Sequence, residues 1–199
     1  MKSLSLLIII ILLSLDPTSL KAQEIYIPPS TPEAPLQLSK SQKGVALSTD
    51  ILLWSMPIAT VAGAIIDNDW EGIKQGTCTA AVTAAATLIL KYSVYEMRPN
   101  HKNSHSFPSG HCAVTFATAG FLQRRYGWKL GAPAYALASY VAWGRIYSKN
   151  HHWWDTLAGA AIGAGSAYLF TRPKNNKTEI SLIPVSDGIT HGFSASITF

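Results

Sequence analysis

Three short stretches of this chain carry residue types that bind or transfer anions. The first, residues 91–99, sets Lys91 and Arg98 seven positions apart, just before Pro99. Seven residues are two helical turns, so both cations are expected on one face at the end of a helix that Pro99 stops. Such a pair can hold an anion, although a charged helix end is more often just a solvated face. The second stretch is Ser106-Phe107-Pro108-Ser109-Gly110-His111, expected to open a helix. A helix N-terminus offers unpaired N–H groups and positive dipole to a phosphate. Gly110 leaves the backbone open to close approach, and Ser109 adds a hydroxyl donor or a simple cap. His111 would face the same anion. Alone, Pro-Ser-Gly-His is also an ordinary turn. The third stretch, residues 144–155, holds Gly144-Arg145 and then His151 and Asp155, four apart. At a helix start those two meet on one face, and the carboxylate leaves the free ring nitrogen as a nucleophile or a base. The plain alternative is an acid at a helix N-terminus beside a solvated histidine.

The combination is more specific than its parts. If consecutive helices run antiparallel, all three stretches fall at one end of a bundle. Lys91, Arg98, Ser109, Gly110, His111, Arg145, His151 and Asp155 can then converge. Three cations, two histidines and one carboxylate suit phosphoryl transfer without a metal. His152 beside His151 suggests a ligand pair, but adjacent residues on a helix point apart and no carboxylate cluster is evident, so no metal and no cofactor are expected. His101 and His105 read as solvated loop residues or as headgroup contacts.

The joint pattern resembles the type 2 phosphatidic acid phosphatase superfamily. Its signature is Lys, six residues, Arg-Pro; then Pro-Ser-Gly-His; then Ser-Arg, five residues, His, three residues, Asp. Lys91 to Pro99, Pro108 to His111 and Arg145 to Asp155 match it in order, with Gly144 where the family often has Ser. The likeness covers roughly residues 91–170. It implies a helical fold and a covalent mechanism in which His151, held by Asp155, attacks phosphorus and His111 protonates the leaving oxygen. Lys91, Arg98, Arg145, Ser109 and the Gly110 amide would bind the phosphoryl oxygens, as guanidinium forks suit them.

The elements that must position these residues are legible as apolar segments. The chain has 199 residues, 48% hydrophobic and 14% charged, which fits one domain and excludes a disordered or fibrous protein. Segments 46–66, 77–97, 112–122, 130–143 and 154–170 are each too long for a strand. The fold expected is all-α, a bundle of about five membrane-spanning helices over residues 45–172. Gly159 and Gly163, four apart, let one helix approach another closely. Trp54, Trp70, Trp128, Trp143, Trp153 and Trp154 lie near segment ends, as interface anchors do. Packing in a soluble helical bundle would leave a similar pattern.

Lys2 and the apolar run 4–15 read as a signal peptide over residues 1–22, too short to span a bilayer. A proline-rich extended arm, with Pro28, Pro29, Pro32 and Pro35, is expected over 23–44. Alternation around Ser186-Asp187-Gly188 predicts a short β-hairpin in the tail, 173–199. Two cysteines, Cys78 and Cys112, cannot build a disulfide scaffold; export would allow them to pair with each other, but two buried thiols on apolar helices are expected. The net charge of +5 is modest for a nucleic-acid binder, and no nucleic-acid partner is expected. Lys74, Arg124, Arg125, Lys129, Arg172, Lys174 and Lys177 fall at the end away from the three stretches, against Lys40, Lys43, Lys102 and Lys149 beside them. That imbalance places the site outside the cytoplasm.

In a bacterium this means an inner-membrane protein with its site facing the periplasm. The expected partner is a phosphorylated lipid substrate in the membrane, with lipid A favoured over undecaprenyl pyrophosphate and phosphatidylglycerol phosphate. Rivals are a soluble periplasmic acid phosphatase, a vanadate-dependent haloperoxidase and a non-enzymatic envelope protein. Nothing in the sequence sets the oligomeric state.

Overall fold

A computed structural model describes residues 34–174, 179–186 and 191–198. The expected signal peptide, most of the arm, the turn at Asp187-Gly188 and Lys177 lie outside the described residues. Five helices form the bundle: α1 (Lys40–Ile66), α2 (Trp70–Ser93), α3 (Gly110–Tyr126), α4 (Trp128–Tyr147) and α5 (Trp153–Phe170). The backbone of β1 (Glu179–Ser186) pairs antiparallel with β2 (His191–Thr198), Glu179 opposite Thr198 and Ser186 opposite His191.

Helix α1 starts six residues before the expected segment because Ser39 and Gln42 form a capping box. The Ser39 hydroxyl accepts from the Gln42 amide at 3.2 Å, and the Gln42 side-chain oxygen accepts from the Ser39 amide at 3.0 Å. Helix α2 starts seven residues early, at Trp70, because Asp69 caps it through the Gly72 amide at 3.0 Å. It also stops early, at Ser93, where Val94 turns extended. Helices α1 and α2 are the two described helices long and apolar enough to cross a membrane. With 27 residues, α1 reaches roughly 40 Å, more than the ~30 Å hydrocarbon thickness of a bilayer. Leu47, Ile51, Trp54, Ile58 and Ile65 of α1, and Leu88 and Ile89 of α2, are exposed. An apolar stripe facing outwards on this scale suits lipid better than water.

Close packing joins α3 to α5. A Cβ on Gly163 would stand 2.1 Å from the Ala113 carbonyl oxygen, and one on Gly159 would stand 2.4 Å from that of Ser109. Their spacing thus brings the two backbones into contact, as the sequence implied. Met56, Ala119, Ala134 and Ala138, flanked by Leu52, Phe116, Leu122 and Tyr135, form the core where α1, α3 and α4 meet. The buried threonines of α2 are satisfied locally in part: Thr83 donates to the Thr79 carbonyl at 2.7 Å. Cys112 is buried, but Cys78 is exposed and neither is paired, which corrects the expectation of two buried thiols. Its position on a lipid-suited face of α2 explains the difference, because an apolar segment need not be an interior one.

At the pole where α1, α3 and α5 end, Arg125 grips Asp69 with Nε and Nη2, and the Tyr126 hydroxyl donates to the same carboxylate at 2.9 Å. Nη1 of Arg125 donates to the Arg172 carbonyl at 3.0 Å, and Lys174 pairs with Asp67. Arg125 holds the Asp69 carboxyl well below the usual carboxylate range, against the opposing effect of burial. These charged contacts tie the ends of α1, α3 and α5 and the start of α2 to one another.

Candidate active site

The three stretches meet where α2 and α4 end and α1, α3 and α5 begin. Asp155, fully buried in the first turn of α5, is the centre of this pole. Its Oδ2 accepts from the Ser106 hydroxyl at 2.5 Å and from the His152 amide at 2.8 Å. Its backbone carbonyl accepts from the Ser109 amide at 2.9 Å, which ties the start of α3 to that of α5. Nδ1 of His151 lies 3.5 Å from Oδ2, an ion-pair distance rather than a closed hydrogen bond. This pairing leaves Nε2 of His151 as the ring nitrogen with a free lone pair.

The expectation that His151 and Asp155 share a helical face is corrected. Helix α5 begins at Trp153 with His152 as its N-cap, so His151 precedes it. A loop brings the ring in. The His151 and Asn150 amides both donate to the Arg145 carbonyl, and the Asn100 side-chain amide donates to that of Asn150 at 3.1 Å. His151 is only 2% exposed. Burial pushes its imidazole down to about 4, Arg98 and Arg145 add to that, and Asp155 opposes it. The ring is therefore neutral near pH 7, as a nucleophile must be.

Lys91 and Arg98 do not share a helix face either, because α2 ends between them. Arg98 rides on the loop of residues 94–109, where its amide donates to the Asn103 carbonyl and its carbonyl accepts from His101. Pro99 was expected to stop the helix, but α2 ends six residues earlier, at Ser93, and Pro99 lies within the loop. Lys91 donates from Nζ to the carbonyls of Pro108 at 2.9 Å and His105 at 3.1 Å. Two of its three hydrogens thus hold the second stretch in place. Ser109 is the N-cap of α3, yet its hydroxyl makes no cap bond. At Gly110 an added Cβ would meet nothing closer than Thr87 at 3.9 Å, so space is open over the first turn.

Burial without pairing marks the site. Among the described residues, buried side-chain nitrogen or oxygen atoms without a hydrogen-bond partner occur on Thr87, Arg98, Ser109, Arg145, His151, His152 and Asp155. All belong to this pole. Four of these groups, on Thr87, Arg98, Ser109 and Arg145, can donate, and a buried donor left unpaired costs about 1–3 kcal/mol. Their concentration at a helix N-terminus, two of them guanidinium nitrogens, is a cradle shaped for an anion.

Sequence reasoning missed four supporting residues. Asp50, from α1, takes Nε2 of His111 and Nη1 of Arg145 at 2.8 Å each on one oxygen, Oδ1. Its signal was visible, since it is the one acid in a long apolar helix. Gly144 makes this possible: a Cβ there would stand 2.6 Å from Cγ2 of Thr49, so α1 fills the room that the family's usual Ser would need. Ser106 and Asn100 are the second and third, with the bonds given above. Glu96 is the fourth. It accepts from the Trp154 indole at 2.6 Å and lies 3.3 Å from Nδ1 of His152. Glu96, His152 and Asp155 offer ligand atoms within 4.8 Å of one another, so the expectation that no carboxylates gather beside His152 does not hold. Their bonds to Trp154, Ser106 and the His152 amide make the group a brace for Asp155. His105 contributes its carbonyl to Lys91 and packs its ring on Tyr92 at 5.6 Å.

Two cavities open at this pole. An apolar one of about 760 Å³ runs along Leu53, Trp54, Pro57 and Ile58 to Gly110 and His111. A polar one of about 500 Å³ is lined by Lys43, Asp50, Lys102, Arg145 and Asn150.

The chain belongs to the PAP2 superfamily, whose profile matches residues 73–179. It is 28% identical over 150 residues to the lipid A 4'-phosphatase of Helicobacter pylori, covering 69% of this chain and 76% of that protein. A 76-residue match at 37% identity to the lipid A 1-phosphatase of Porphyromonas gingivalis covers 37% of this chain but only 17% of that protein. Among solved structures, LpxE of Aquifex aeolicus superposes with a TM-score of 0.57 at 19% identity, covering 65% of this chain and 84% of that one. The transmembrane phosphatidylglycerolphosphate phosphatase of Bacillus subtilis gives 0.54 at 21% identity, covering 68% and 77%. At these identities the two structures establish likeness of fold.

Proposed function

We propose that the protein is a lipid phosphatase that hydrolyses the phosphomonoester of lipid A through a phosphohistidine on His151. The observation that carries this reading is the set of unpaired buried donors of Arg98, Arg145 and Ser109 around the neutral His151 ring. Nε2 of His151 attacks phosphorus while the phosphorus–oxygen bond to the lipid breaks. His111 gives its proton to the departing oxygen. Water then attacks the phosphohistidine, His111 takes a proton from it, and inorganic phosphate leaves. Asp155 orients the His151 ring and balances its charge in the intermediate. Arg98, Arg145, the Ser109 hydroxyl and the Gly110 amide hold the phosphoryl oxygens, and Lys91 fixes the loop that carries two of them.

The apolar cavity ending at Gly110 and His111 supports a lipid as substrate, since an acyl chain can lie along α1 with its phosphate at the cradle. The lipid A phosphatases among the relatives support lipid A in particular. Two apolar helices with outward-facing side chains support residence in the inner membrane, and the excess of Lys and Arg at the far pole supports a periplasmic site. Removing a phosphate there would lower the negative surface charge that attracts cationic peptides. Mass spectrometry of lipids from cells with and without the gene tests the reading. Lipid A retaining one additional phosphate in the deletion strain is the expected result. A change confined to prenyl or glycerolipid phosphates would assign a different lipid, and an unchanged lipid profile would refute the proposal.

A further inference from the structure

The polar cavity is distinct from the cradle but shares a wall with it. Arg145 and Asp50 line both, so a substrate whose phosphoryl group sits against Arg145 has this cavity next to its head. The cavity is walled on its other sides by Lys43 from the first turn of α1 and by Lys102 from the loop that carries Arg98. Asp50 is the one acid in its lining, and that carboxylate is engaged by His111 and Arg145. Both lysines are exposed, and neither ammonium has a hydrogen-bond or ion-pair partner among the described residues, so both charges are available to an anion entering the cavity. An anion held between two such cations is favoured by charge. The hollow is also much too large for a water molecule and lies outside the apolar groove suited to acyl chains.

Building on the lipid phosphatase reading, we infer that this cavity is a second anion subsite, in which Lys43 and Lys102 hold another phosphate of the same substrate's sugar head while the first reacts at His151. The enzyme is thereby selective for bis-phosphorylated glycolipids over lipids with a single phosphate. The lysines act on binding, not on the chemical step, because they line this cavity and not the cradle around His151.

The full-length protein in neutral detergent micelles allows the test. Turnover of a bis-phosphorylated glucosamine-disaccharide lipid is compared with that of a monophosphorylated lipid, for the natural protein and for the double variant Lys43→Gln/Lys102→Gln. The expected result is a rise of about tenfold or more in KM for the bis-phosphorylated lipid, with kcat and the monophosphate parameters changed less than about twofold. Lys43→Arg/Lys102→Arg should restore most of the loss. Equal losses on both substrates, or none on either, would overturn the inference. A loss on the monophosphate seen only in micelles doped with anionic lipid would do so as well, by assigning the lysines to the bilayer surface. Binding of the bis-phosphorylated lipid to His151→Ala, with and without the lysine changes, separates this claim from the catalytic one. Retained selectivity without turnover in the natural protein would refute the phosphatase reading and leave the subsite standing. Binding to His151→Ala that is unaffected by the lysine changes would refute the subsite alone.

Discussion

Asp50→Asn removes the charge that both His111 and Arg145 approach at 2.8 Å, while keeping the shape of the side chain. In the proposed reaction His111 must carry a proton to the leaving oxygen. Burial and the nearby Arg145 oppose that positive charge, and Asp50 is the group that favours it. Opposite unit charges at this distance attract by roughly 6 kcal/mol at an effective dielectric of 20 and roughly 1.5 kcal/mol with full water screening. The Asp50 side chain is 52% exposed, so the screened end governs. A loss of about 1.5–3 kcal/mol in protonated His111 predicts a fall of about tenfold to a hundredfold in kcat/KM for a lipid phosphate. The assay compares that lipid with p-nitrophenyl phosphate, whose leaving group departs without a proton. Activity on the aryl ester should fall by less than about threefold, and Asp50→Glu should recover part of the loss. Equal losses on both substrates, or a gain on the lipid, would refute the role given to Asp50.

Further outcomes follow from the same geometry. His151→Ala should abolish turnover, whereas His152→Ala should leave measurable activity; equal loss in steady-state assays would misplace the nucleophile. Because the His151 imidazole is held down to about 4, kcat/KM on p-nitrophenyl phosphate, which needs no proton from His111, should stay level from neutral pH downwards and drop only as pH falls through about 4, where the ring protonates. Arg98→Gln should move that acid limb upwards, since Arg98 helps to keep the ring neutral, and a pH profile would show it. Gly144→Ser should force α1 away from α4 at Thr49, destabilise the fold by about 1–3 kcal/mol in thermal unfolding and reproduce part of the Asp50→Asn defect. Thr49→Ala in the same chain should relieve it. Arg125→Leu leaves Asp69 buried without its partner and should cost about 3–5 kcal/mol of stability, with KM unchanged in the surviving folded enzyme.

Residue spacing alone was enough for the family and for five helices, and it named the residues that the fold gathers at one pole, because those depend on local patterns. Apolar runs bounded by Gly, Pro and charge mark helices, and motif spacing survives whatever shape the intervening backbone takes. Spacing was misleading where it assumed that the helix continues. Lys91 and Arg98 meet across a loop, and His151 reaches Asp155 from outside α5. Helix starts came out late because Ser39 and Asp69 lie in polar surroundings, where a cap is harder to see than the apolar turn it opens.

Only the tertiary structure could supply the roles of Asp50, Ser106 and Glu96, since their partners lie 61, 49 and 58 residues away in the chain. Contacts across such distances depend on how closely whole helices approach, and no periodicity records that. Gly144 shows the difference. In the sequence it was a small departure from a family pattern. In the fold it is the absent side chain that lets α1 reach α4 and carry a carboxylate to His111. The chain thus determined by itself which chemistry was available, because chemistry resides in residue types. Which groups share a charge, a proton or a cavity was decided by packing, because those interactions fall off within a few ångströms.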